Sequence, residues 1–118
     1  MKVAILKSDF TIEIRTLQPD EDIYGFLRRF FNHTWRSIAK RPSNFYLAYE
    51  SDDGNLRSNQ FASDVLTHLD FDIPWGVAGP IVFAGGTTRS LSPGDMLTLQ
   101  DAQRLAIEDA HAHAAHDE

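Results

Sequence analysis

A single α+β domain, with a mostly antiparallel sheet packed by two or three helices, is the architecture this sequence predicts. Three observations carry it. Short apolar runs of strand character alternate with segments of helical spacing. The first two strands lie close enough in sequence to form an antiparallel hairpin. The 118 residues show no internal repeat and no interdomain linker, and that length is enough for one core without staples.

The elements follow in order. Val3 to Leu6 is apolar on both faces, as a central strand would be. Ser8-Asp9 supplies a turn, and Thr11 to Leu17 alternates, with Ile12 and Ile14 opposed to Glu13 and Arg15. Asp20 to Phe31 is the clearest helix: Ile23, Phe26, Leu27 and Phe30 recur at helical spacing behind an acidic start that complements the helix dipole. His33 to Arg41 reads as a loop or irregular strand anchored by Trp35 and Ile38, followed by a strand from Phe45 to Tyr49. Ser51 to Asn55 is a turn, because Gly54 and Asn55 tolerate positive φ.

A short helix follows, capped by Ser58 or Asn59 and carrying Ala62, Leu66 and Leu69. Val77 to Ala84 reads as a second buried strand in which Pro80 points to an edge position or a bulge. Thr98 and Asp101 have capping-box spacing, so the last helix is expected to open there and run to Ala110 or beyond. The domain is expected to span residues 1–110, with 111–118 a frayed, His-rich acidic tail. Leu27, Phe30, Leu66, Ile81 and Phe83 are expected in the core.

Composition narrows the function classes. The chain has no Cys, which removes disulfides, zinc-thiolate sites and thiol nucleophiles together. No apolar run approaches the length of a membrane span, and the apolar part of the amino-terminal segment is too short for a secretory signal, so a cytoplasmic protein is expected. A net charge of −6 favours solubility and opposes nonspecific attraction to nucleic acid. The charge is uneven, with Arg28, Arg29, Arg36, Lys40 and Arg41 close together around Trp35. An aromatic anchor among charged neighbours suits a protein partner, with nucleic acid left open.

Other constellations are weaker. His111, His113 and His116 are spaced poorly for a preformed tetrahedral site, so no metal and no cofactor is expected. Gly85, Gly86, Thr87 and Thr88 follow a buried strand and offer backbone N–H groups to an anion, without a Walker lysine or a dinucleotide fingerprint. Asp64 and His68 stand at i and i+4 and should share a helix face, but no nucleophile is identifiable beside them. The aromatic residues exceed what one small core hides, which suggests a covered or partner-facing surface and a possible homo-oligomer.

The order of small motifs carries one resemblance. The hairpin from Val3 to Leu17, the strand and acidic-glycine turn from Phe45 to Gly54, and the Asn59 to Ala62 helix entry lead to Gly79-Pro80-Ile81-Val82 and a late Leu97-Thr98-Leu99. Over about residues 2–105 the chain resembles a family of small proteins of unknown function from actinobacterial phages and plasmids. Phe10 stands where that family usually carries a turn glycine. The resemblance implies an accessory protein of a mobile element and supplies no catalytic residues. The function expected is therefore noncatalytic: binding a host or mobile-element macromolecule, with interference in a host process as a subtype. The alternative is a small-molecule or nucleotide-binding module at Gly85 to Thr88, and a small hydrolytic enzyme stands third.

Overall fold

Five strands form one antiparallel sheet in the order β2-β1-β5-β4-β3: β1 (Lys2–Leu6), β2 (Ile12–Thr16), β3 (Trp35–Ser37), β4 (Leu47–Ser51) and β5 (Ile81–Ala84). With helices α1 (Ile23–Phe31), α2 (Gln60–His68) and α3 (Pro93–His116) they make the single α+β domain that the periodicities predict. The computed structural model describes residues 1–38, 46–73 and 76–116.

Pleat alternation sorts the core into two layers. On one face, Val3, Ile5, Tyr49 and Val82 pack beneath Ile23, Phe26 and Leu27 of α1. On the other, Ala4, Leu6, Ala48, Ile81 and Phe83 pack beneath Phe61, Val65 and Leu66 of α2 and Leu99, Ala102 and Ala106 of α3. Two apolar layers hide far more aromatic surface than one would, and Phe26 and Phe83 are fully buried. Phe30 is a correction to the expected core. It is only half-buried, stacked on Phe26 at 5.6 Å with the Arg15 guanidinium above its ring.

The Ser8-Asp9-Phe10 turn closes the first hairpin, with the Lys7 N–H donating to the Thr11 carbonyl at 3.0 Å. Phe10 takes φ +71°, the left-handed geometry that favours glycine at the third position of such a loop. An edge contact with Phe61 at 5.5 Å and a hydrogen bond from Gln103 to its carbonyl hold the aromatic residue there.

Asn59 joins the elements on the second face. Its side-chain oxygen accepts from the Ala62 N–H at 3.0 Å, which caps α2. Its side-chain nitrogen donates to the carbonyls of Leu6 on β1, at 3.1 Å, and Gly79, at 2.8 Å. Gly79 has φ +70°, and a Cβ there would lie 2.7 Å from the Leu56 side chain, so the turn before β5 needs glycine on both counts.

The starts of β5 and α3 differ from those the sequence predicts. β5 starts at Ile81 and lies inside the sheet between β1 and β4. Pro80 therefore precedes the ladder, where its missing N–H removes no strand hydrogen bond, and it marks neither an edge nor a bulge. α3 begins at Pro93, not near Thr98: Ser92 Oγ accepts from the Asp95 N–H at 3.1 Å and the Asp95 carboxylate accepts from the Ser92 N–H at 2.8 Å. This reciprocal box, with proline in the first helical position, fixes the true start. Thr98 instead sits one turn inside and donates to the Gly94 carbonyl at 3.1 Å. The end of α3 at His116 lies within the expected run to Ala110 or beyond.

Among these packing contacts, the α1 layer gives a direct test. Phe26→Ala should lower stability by about 3–5 kcal/mol, because a fully buried ring leaves a cavity. Phe30→Ala should cost clearly less, since its side chain is only partly buried. Urea unfolding midpoints of the two variants check this, and equal losses would contradict the layer assignment.

Candidate functional site

α1 and the short edge strand β3 carry the surface with the strongest character of a binding site. Tyr24, Arg28 and Phe31 stand at i, i+4 and i+7 on α1 and so share one side of the helix. Tyr24 is 45% exposed, Arg28 is exposed, and Phe31 is half-buried against the α1-side core. Asn32 ends the helix in a left-handed cap, its N–H returning to the Arg28 carbonyl at 3.1 Å. Three residues later the chain enters β3, whose Trp35 packs half-buried on the same layer. The buried Tyr49 lies below. Burial raises the pKa of its hydroxyl, and the nearby Tyr24 adds to that shift.

The basic residues around Trp35 divide into distinct groups. Arg28 makes no ion pair with a described residue. Arg29 donates from Nε and Nη2 to the Glu21 carboxylate, at 2.9 and 2.8 Å, and lies over the Phe26 ring. This pairing raises the Arg29 pKa and lowers that of Glu21. Arg36 points to the opposite face from Trp35, as adjacent strand residues must, and its Nε donates to the buried Glu50 at 2.9 Å. Lys40 and Arg41 lie outside the described residues. The fold thus brings Arg28 and Trp35 to one layer, adds Tyr24 and Phe31, and holds Arg29 and Arg36 in internal pairs. Tyr24 was legible in the sequence through its spacing to Arg28 and Phe31.

The Gly85 to Thr88 loop leads from β5 towards α3, with Gly85 buried and Thr87 and Thr88 exposed. Arg89 folds back over it: Nε donates to the Gly85 carbonyl at 3.2 Å and Nη1 to Asp95 at 2.8 Å. A Cβ on Gly85 would meet the Arg89 carbonyl oxygen at 3.0 Å, so glycine makes this return possible. Asp95 also accepts from the Tyr46 hydroxyl at 2.9 Å. Burial pushes the Asp95 carboxyl upward, but the Ser92 N–H, Tyr46, Arg89 and the Ser92 hydroxyl outweigh it and hold the pKa at about 2. Burial, and then the Asp95 contact, raise the pKa of Tyr46. The positive end of α3 and the nearby cation are therefore engaged by the chain's own carboxylate, the chemistry that an incoming anion would need.

Asp64 and His68 do not form the pair that their spacing suggests. Asp64 accepts from Gln60 at 2.9 Å, and His68 reaches Asp109 of α3 at 2.8 Å, tying the two helices together. Among the described residues, no group of three His, Asp or Glu residues is placed to hold a metal ion, and no helix is long and apolar enough to cross a membrane. A shallow groove of about 90 Å³ lies between β2 and α3, lined by Ile12, Ile14, Met96, Leu99, Gln100 and Gln103. That is well below the several hundred Å³ of an ordinary small-molecule pocket.

No protein-family model matches the chain, and no curated protein or solved structure matches it.

The Asp95 cluster fixes a pH dependence. Its folded pKa of about 2 lies below the ordinary value of 3.8, so the carboxylate stabilises the fold above the ordinary value. That contribution is lost as pH falls through the interval between the two. Asp95→Asn should lower stability at neutral pH and flatten the acid limb of the stability profile. Urea midpoints from roughly pH 5 down to pH 2 test this, and an unchanged slope in the variant would contradict the assignment.

Proposed function

We propose that this chain is a noncatalytic accessory protein of phage or plasmid type that acts in the cytoplasm by binding a protein of the host or of the mobile element. The observation that supports binding is the set of exposed Tyr24, Arg28, which has no ion pair among the described residues, and half-buried Phe31 and Trp35 on the α1–β3 layer. Aromatic residues and arginine are the side chains that most often anchor protein interfaces, and a rigid helix end holds them here without loop-ordering cost. The mobile-element origin is supported by the motif resemblance alone.

A protein partner is favoured over nucleic acid because Arg29 and Arg36 are neutralised by Glu21 and Glu50, and the chain carries a net charge of −6. A nucleotide-binding module at Gly85 to Thr88 ranks lower, since Arg89 is committed to Asp95. Hydrolysis ranks lower still, because His68 and Asp64 have separate partners.

The test is partner capture from the native host with wild-type protein and surface variants, followed by binding kinetics on the captured protein. Arg28→Glu should slow association, and Tyr24→Ala and Trp35→Ala should accelerate dissociation, each weakening binding about tenfold or more. Arg104→Glu, on the exposed side of α3, should leave binding unchanged. Full retention of binding in the Tyr24, Arg28 and Trp35 variants would overturn this surface. A steep loss of affinity with salt and capture of nucleic acid would overturn the protein partner.

A further inference from the structure

We infer that β2 is the seam of a homodimer, pairing antiparallel with β2 of a second copy about a two-fold axis at Ile14. The inference does not depend on the α1–β3 strip. It starts from which backbone groups the edge leaves free. In the β1–β2 ladder, the Lys7 N–H donates to Thr11 and the Leu17 N–H donates to Met1. The registered pairs between them alternate, so Glu13 and Arg15 also turn their backbone groups towards β1. Ile12, Ile14 and Thr16 therefore direct N–H and C=O groups away from the sheet, and no described residue takes up these groups. The opposite edge, β3, is only three residues long.

Edge strands usually carry charge to discourage such pairing. Here the charges select one register, although Glu13 already pairs with Arg15 at 2.6 Å and with Lys7 at 2.8 Å within each copy, on side chains that stay partly exposed. A second β2 can bond outward groups to outward groups only if the paired residue numbers sum to an even value. Centred on Glu13, it sets Glu13 against Glu13 of the other copy; centred on Arg15, it sets arginine against arginine. Centred on Ile14, it pairs Ile12 with Thr16, Ile14 with Ile14, and Glu13 with Arg15 twice. All three outward residues are then hydrogen-bonded, and both opposite charges meet in the closer, non-hydrogen-bonded positions. On the other side of the pleat, Ile14, 40% exposed, meets its own copy beside Met96 and Gln100 of α3. The two sheets become one.

A charge exchange tests this on the full chain. Wild type should show a concentration-dependent dimer by analytical ultracentrifugation. Glu13→Arg and Arg15→Glu, each alone, bring like charges together at both positions and should weaken the dimer about tenfold or more. Mixing the two variants restores opposite charges across the seam, and the mixture should associate as wild type does. Unfolding midpoints confirm that each variant is folded. A wild-type chain that remains monomeric at high micromolar concentration overturns the inference. So does a single variant that dimerises unchanged, or a mixture that fails to recover association.

Discussion

The side chain of Asn59 is the constraint on which the second layer of this fold depends. It is fully buried, and each of its polar groups is used. The oxygen caps α2, the nitrogen bridges the carbonyls of β1 and of the turn before β5, and the backbone N–H donates to Val77 at 2.8 Å. One residue thus sets where α2 starts, how far it stands from the sheet, and how the chain enters its central strand. A buried amide in this role is stabilising only when every bond is made, which is why it specifies one arrangement.

Local signals made much of this legible. Alternation around Ile12 and Ile14 gave the hairpin, and Ser58 or Asn59 ahead of an apolar helical run gave the cap of α2, which the fold assigns to Asn59. The start of α3 was misread because Thr98…Asp101 repeats the spacing of Ser92…Asp95; Pro93, between the latter two, is the residue that discriminates them. The interior place of β5 was not legible, because it depends on pairings with β1 and β4 that no local pattern encodes. The same holds for His68, whose partner Asp109 is 41 residues away.

The candidate surface shows the same division. Trp35 and Arg36 are adjacent in sequence but lie on opposite faces, which follows from strand periodicity only once β3 is recognised as a strand. Arg29 and Arg36 then pair with Glu21 and Glu50, so the cluster of positive charge seen in the sequence does not survive as one patch. What remains is a more apolar strip, with Arg28 exposed between Tyr24 and Phe31. A separate tie, from Arg89 to Asp95, closes the glycine loop at the other end of the sheet. In both regions internal ion pairing takes up cations that the sequence alone leaves free.

The most direct measurement compares the unfolding free energies of Asn59→Ala and Asn59→Asp with wild type at neutral pH. Asn59→Ala removes the cap and the side-chain donor to the buried Leu6 carbonyl and the part-buried Gly79 carbonyl, a combined loss of about 3–5 kcal/mol. Asn59→Asp keeps a capping oxygen but sets a carboxylate against the Leu6 and Gly79 carbonyls, so it should be at least as damaging. If Asn59→Asp instead retains wild-type stability, the residue acts as a helix cap alone, and its bridge between β1, α2 and β5 is not what holds this layer together.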